Sequence, residues 1–289
     1  MKLFKTWCQS PKKKNKPTLR NAAMTLDERF IQVQAANNSF DFWIKMATLD
    51  KGHPILIPAK RYAYLNHYLA DWELVPGGRL IRQKDKWFLM LTFEKEKPAL
   101  KAGQIKAADI GYRKLAVTSE AEVVGEKLPE LIEKADRKKP YSKGYYRAKE
   151  EIKRYVNQEL KKLFSGDVAT LVMEDLRQLK SGKRGTWSRA VNRQFGFWIY
   201  GHALRRVKEL GEVGGVHCPQ VPPAYTSQRC PLCGHTEKLN RRGERFQCRR
   251  CGLEHDADYV GALNILSRFT GEPIVPQVIK PQLEYFSIL

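Results

Sequence analysis

Four cysteines and three separated acids are the residues of this chain whose types and spacing can do chemistry. Cys230-Pro-Leu-Cys233-Gly234 and Cys248-Arg-Arg-Cys251-Gly252 are two Cys-x-x-Cys-Gly knuckles, separated by the 14 residues from Gly234 to Gln247. Each knuckle aims two thiolates at one ion, and the glycine after it permits the tight turn. Two knuckles make a closed tetrahedral four-cysteine site for Zn2+, structural rather than catalytic because no coordination position stays open. A redox pair is the alternative, but it needs only one such motif. His235 and His255 are not expected as ligands, since four sulfurs fill the site, and Cys8 and Cys218 read as ordinary thiols. Arg241, Arg242, Arg245, Arg249 and Arg250 surround the ribbon, so the metal would present arginines on a rigid support.

The acids are a second constellation. Asp109 lies in an apolar strand, Ala107-Ala108-Asp109-Ile110, and Glu174 ends another, Leu171-Val172-Met173-Glu174. Buried carboxylates are costly unless paired or metal-bound. Asp258, in Asp256-Ala-Asp258 before the last helix, offers a third oxygen ligand. Three converging carboxylates suit Mg2+ or Mn2+, hard ions that prefer oxygen. Two such ions about 4 Å apart can clamp the attacking water and the leaving oxygen of a phosphodiester. The plainer alternatives are Asp258 as a helix N-cap, and Glu174 or Asp175 paired with an arginine.

An α/β scaffold must position these groups. Strands are expected over Ile105–Ile110, Lys114–Thr118, Val168–Met173 and Val213–Val221, and helices over 127–164 (broken near Pro140), 188–210 and Tyr259–Phe269. Residues 27–98 read as strands with a turn at Gly77-Gly78 and a short helix within Lys60–Asp71. Residues 1–20 carry seven basic groups and no acid, and are expected to be a flexible arm.

Charge narrows the partner. The 289 residues carry 52 Lys plus Arg against 31 Asp plus Glu, a net charge of +21, which a polyanion would neutralise. No apolar run reaches the roughly 18 residues of a spanning helix and no signal peptide opens the chain, so a reducing cytoplasm, in association with the nucleoid, is expected. Arg177, Lys180, Lys183, Arg184, Arg189 and Arg193 follow Glu174 with no acid among them, interleaved with Trp187, Phe195 and Trp198. Such a stretch can neutralise phosphates and stack on bases, and Arg229, Arg241, Arg242 and Arg245 extend it into the ribbon. Phe195 and Trp198 are expected in the core.

At the same residues the sequence resembles the TnpB/OrfB family of transposon-encoded proteins. Asp109-Ile-Gly-Tyr-Arg-Lys-Leu-Ala-Val-Thr-Ser resembles its first RuvC motif, Val172-Met-Glu174-Asp-Leu its second, and Asp256-Ala-Asp258-Tyr-Val-Gly-Ala-Leu-Asn-Ile-Leu its third. Pro223-Ala-Tyr-Thr-Ser-Gln-Arg-Cys230-Pro-Leu-Cys-Gly is similar to the family's approach to its ribbon. The resemblance implies an α/β fold: an RNase H-like (RuvC) nuclease domain with an inserted four-cysteine zinc ribbon, preceded by a small wedge-like β-barrel. It implies a basic arm (1–26), the barrel (27–100), the nuclease domain's first part (101–224), the ribbon (225–255), its last helix (256–270) and a tail (271–289). It implies an RNA-guided DNA endonuclease, with Asp109, Glu174 and Asp258 as magnesium or manganese ligands, and DNA and a guide RNA as partners. Val260 stands where the family favours Asn, and its helical recognition segment is not found among the N-terminal strands. A non-cleaving RNA-guided DNA-binding regulator, or a degenerate transposon remnant that only binds nucleic acid, are the competing readings.

Overall fold

The computed structural model describes residues 23–36, 39–83, 85–176 and 200–272. The chain divides into two compact units, Met1–Glu96 and Lys97–Leu289.

The first unit holds two three-stranded antiparallel sheets. One joins β1 (Ala23–Leu26), β5 (Glu73–Gln83) and β6 (Lys86–Glu94) in the order β1-β5-β6; the other is the meander β2 (Ile31–Ala35), β3 (Phe42–Met46) and β4 (Ile55–Ala59). β1 falls within the stretch expected to be the arm. Helix α1 (Ala63–Asp71) lies between β4 and β5 and packs its Tyr68 ring against Trp72 and Phe93. Gly77-Gly78 is not a turn between strands. It sits inside β5, where the register against β6 shifts between Val75 and Arg79. Gly77 has φ +93°, and a Cβ there would stand 2.5 Å from the Leu26 carbonyl oxygen. A bulge with positive φ beneath a neighbouring strand needs glycine, which punctuates a strand as readily as it ends one.

The second unit is built on a five-stranded sheet in the order β11-β10-β7-β8-β9. β7 (Gln104–Asp109), β8 (Ala116–Thr118) and β9 (Val123–Val124) form an antiparallel meander. β10 (Val168–Glu174) and β11 (Gln220–Val221) extend it in parallel. Side chains alternate across a sheet, and this decides the layers. Ala108, Leu171 and Met173 face a core shared with α2 (Leu128–Asp136), α3 (Lys143–Glu159) and α4 (Tyr200–Gly214). Ile152 and Val156 of α3, and Leu128 and Ile132 of α2, recur every four residues and form the apolar stripes that meet the sheet. Ala107, Val172 and Val221 point the other way, onto Ile265 of α5 (Ala257–Thr270).

The helix expected over 188–210 is seen from Tyr200 and runs on to Gly214, so its last turn occupies the start of the strand expected at Val213–Val221. Only Gln220–Val221 is strand, with a bridge from His217 to Thr170. The expected strand starts late because Gly215, at φ +69°, reverses the chain before any pairing begins. Residues 241–256 form the ribbon sheet β12 (Arg241–Arg242), β13 (Arg245–Gln247) and β14 (Glu254–Asp256). Among the described residues, no helix is long and apolar enough to cross a membrane.

Candidate active site and metal centre

Asp109 and Glu174 are the last residues of β7 and β10, which are adjacent and parallel, with Ala108 opposite Met173. Parallel strands gather their carboxyl ends at one edge of a sheet, where α/β proteins bind ligands. The two-residue period puts Asp109 on the face of Ala107 and Glu174 on the face of Val172, which is the face α5 covers. α5 comes so close that a Cβ on Gly261 would stand 2.5 Å from an Asp109 carboxylate oxygen. Asp258 occupies the first turn of that helix. Three half-buried acids, remote in sequence, thus meet at one end of the sheet.

Their electrostatics record the crowding. Burial, then the charges of Glu174 and Asp258, push the Asp109 carboxyl well above the usual carboxylate range, against an opposing pull from Arg241. Burial also raises Glu174, partly offset by its bond from Thr226 and the charges of Arg268 and Arg241. Arg241 of β12 donates to Asp258 at 2.7 Å, so this ribbon arginine faces the acids rather than solvent. The helix cap belongs to Asp256 and not to Asp258. Its carboxylate accepts from the Asp258 and Tyr259 amides at 2.9 and 3.0 Å, and its other oxygen binds Lys114 at 2.6 Å. Burial raises Asp256, but the Lys114 bond and the cap amides outweigh it and leave the group below its usual value. Asp258 is thereby released from capping and faces the other two acids.

The donor set, three oxygen anions gathered at one sheet edge, suits a hard divalent cation. Among the described residues, the four ribbon cysteines alone form a metal-ligand cluster, with all ligand atoms within 4.8 Å of one another. The three acids are not drawn so tightly together, with Asp258 held by Arg241 and Glu174 by the Thr226 hydroxyl.

The cysteine cluster could hold one metal ion. Cys230 and Cys248 are buried, and Phe246 and Val260 pack against them. Gly234 and Gly252 take φ +72° and +75° at the ends of the knuckles, as the Cys-x-x-Cys-Gly spacing requires. Burial raises the Cys248 thiol, but amides of Cys251 and Arg250 outweigh it and lower the group, whereas burial holds the Cys230 and Cys251 thiols up. Val260, the departure from the family pattern, belongs to this apolar cluster. His235 bonds Glu237 at 3.1 Å and the His255 ring packs tilted against Tyr259, centroids 4.5 Å apart, so both histidines have other partners. Cys218 is a half-buried thiol raised by burial to about 11.

Of the expected nucleic-acid contacts, Arg229 and Arg242 are exposed, Arg245 is paired with Glu254 at 2.8 Å, and Arg241 is turned to Asp258. Arg177, Lys180, Lys183, Arg184, Arg189 and Arg193, with Trp187, Phe195 and Trp198, lie outside the described residues, as does Cys8. Two positioning side chains carried no sequence signal of their own, Thr226 and Asn264. Both are polar and buried, and only the fold shows what they hold.

A family profile described as "Cas12f1-like, TNB domain" matches residues 200–265, which span α4, the ribbon and most of α5. The chain is 30% identical over 218 residues to InsQ of Escherichia coli (strain K12), provisionally named an RNA-guided DNA endonuclease, covering 63% of this chain and 54% of InsQ. It is 35% identical over 79 residues to a provisionally named transposase of Methanocaldococcus jannaschii, covering 24% of this chain and 72% of that protein. The fold is that of the Cas12f1 chain in a cryo-EM complex with sgRNA and target DNA, at TM-score 0.54 and 17% identity, covering 88% of this chain and 66% of that one. The chain belongs to the TnpB-like family. It spans about half the length of InsQ.

Proposed function

We propose that this protein is an RNA-guided, divalent-metal-dependent DNA endonuclease, with Asp109, Glu174 and Asp258 as the metal ligands and zinc as a structural ion in the ribbon. The observation that carries the reading is the convergence of three acids on the α5 side of the sheet, with Asp109 raised by burial and by the charges of Glu174 and Asp258. The antiparallel meander β7-β8-β9, extended by parallel β10 and β11, supports the RNase H-like description of the domain.

When bound, Mg2+ or Mn2+ supplies Lewis-acid stabilisation of charge on the phosphodiester and lowers the pKa of the attacking water. The protein's own groups do the rest. The rigid edge of β7 and β10 fixes two carboxylates side by side, and the turn at Asp256 delivers the third. Arg241 sets a guanidinium beside them, where it can bind a phosphate oxygen and hold the strand in register. Exposed Arg229 and Arg242 would carry the same strand across the ribbon, and the basic stretch from Arg177 to Arg193 would add further phosphate contacts.

The test is DNA cleavage by protein purified with RNA from its own locus, in Mg2+. Guide-matched DNA should be cut by wild type and not by Asp109→Ala. Absence of metal-dependent cutting, or equal cutting by Asp109→Ala, would sink the reading, and guide-dependent binding without cutting would establish the regulator instead.

A further inference from the structure

We propose that Thr226 is a positioning residue for Glu174, and that it acts from a strap, residues 222–229, clamped to α5. This rests on the reading of Glu174 as a metal ligand. Thr226 is 3% exposed, and its hydroxyl donates to a Glu174 carboxylate oxygen. The same oxygen atom of Thr226 lies 3.1 Å from the Pro223 carbonyl, which fixes its side chain against its own turn. Threonine is stiff about χ1, which fixes the position of its Oγ, and the hydroxyl proton rotates from there to its acceptor.

The strap itself is held from one face of α5. Asn264, 5% exposed, donates through Nδ2 to the carbonyls of Thr226 and Arg229, both at 2.7 Å. Four residues on and one turn along the helix, Arg268 donates to the carbonyls of Ala224, at 2.7 Å, and Pro222. Four backbone carbonyls of one irregular, turn-containing stretch are thereby satisfied by two side chains. No regular structure needs this arrangement: β11 ends at Val221 and the first knuckle begins at Cys230. Its effect is to hold the Thr226 hydroxyl at the Glu174 carboxylate.

The chemistry of the site explains the need. A glutamate has one more rotatable bond than an aspartate, and at the end of β10 it would turn away from two neighbouring acids that repel it. Thr226 bonds one carboxylate oxygen, which leaves the other for a metal ion. Groups that orient a metal ligand in this way are worth about 10- to 100-fold in metal affinity or activity. The strap runs directly into Cys230, so the ribbon and the acid site share this support.

The test compares Thr226→Val, which keeps the shape and removes the donor, with Thr226→Ser, which keeps the donor, and with Glu174→Gln. Mn2+ affinity is read from the electron paramagnetic resonance of the free ion, beside cleavage rate, zinc content and thermal unfolding. The expected result is weaker Mn2+ binding in Thr226→Val by about 10-fold or more, recovery in Thr226→Ser, and unchanged zinc content in both. Unchanged Mn2+ affinity in Thr226→Val, while Glu174→Gln loses it, overturns the proposal and leaves the acid site standing. Loss of Mn2+ affinity in Thr226→Val only together with zinc loss or early unfolding, or without recovery in Thr226→Ser, overturns it as well. Full Mn2+ affinity and cleavage in Glu174→Gln overturn the underlying reading instead.

Discussion

The ribbon and the acid site both gather anionic ligands around one point, but they obtain their geometry from opposite sources. The ribbon has two- and three-residue strands and a small apolar cluster of Phe246, Val260 and Ala257 against the cysteines. So little buried surface cannot hold a fold, and the ion must supply the energy. The acids stand on a five-stranded sheet with helices on both faces, whose core is complete without any ion. There the fold supplies the geometry, and on the proposed reading a bound cation would offset the repulsion among the acids. The cysteine sulfurs lie within 4.8 Å of one another, whereas Asp258 is bonded by Arg241 and Glu174 by Thr226.

The sharpest way to break that contrast is to remove each ligand set in turn. Cys248→Ser, or zinc chelation, should melt the ribbon while the sheet persists. Structural zinc sites contribute on the order of 10 kcal/mol to small folds. Hydrogen exchange should show protection lost across β12–β14 and kept in β7 and β10, and uniform loss in both would refute the separation.

Asp109→Asn should do the reverse. Cleavage should fall by at least about 10³-fold, the equivalent of several kcal/mol of transition-state stabilisation. The metal-free variant should nonetheless melt higher than wild type, by about 2–4 °C per kcal/mol regained. The sign follows from the raised carboxyl. Its contribution to stability is full below the ordinary carboxylate range and is lost as pH rises through the higher folded value. The advantage of Asn over Asp should therefore be largest near about pH 7 and shrink toward about pH 4, in metal-free thermal scans. A constant difference would mean that Asp109 is not crowded.

The two regions also differ in how far the sequence disclosed them. Cysteine spacing is local chemistry, so Cys230, Cys233, Cys248 and Cys251 could be paired without knowing any fold. Asp109 and Glu174 were legible because an acid inside an apolar run contradicts its surroundings. What escaped was long-range or turn-dependent. Nothing in Thr226 or Asn264 announces a partner about 40 or 50 residues away, because an ordinary polar residue acquires its role only from what the fold sets beside it. Asp256 and Asp258 are chemically alike, and the choice of cap depends on where α5 begins. The Gly77-Gly78 bulge and the short β11 were misplaced because positive φ at glycine serves bulges, caps and turns alike.

A smaller effect is expected at Tyr200, which buttresses the acid site through backbone rather than side chain. Its hydroxyl donates to the Glu174 carbonyl at 2.7 Å and accepts from the Leu176 amide at 3.2 Å. Burial holds this phenol up to about 12, so it stays protonated through the neutral range. Tyr200→Phe leaves the Leu176 amide without that acceptor, at a cost of about 1–3 kcal/mol in unfolding free energy. Cleavage should fall less than in Asp109→Asn and keep its pH profile. A shifted profile would give Tyr200 a role in proton transfer.

The smallest effect separates two neighbours on the ribbon. Arg242 is exposed, whereas Arg245 on the facing strand is paired with Glu254. Each phosphate neutralised by a free cation releases counterions and steepens the salt dependence of binding. Arg242→Ala should lower the slope of log affinity against log salt by about 1, with little change in stability. Arg245→Ala should lower it less, because its charge is already balanced and its loss frees a carboxylate that repels the strand. Equal slopes for both variants and wild type would show that the strand does not cross this face.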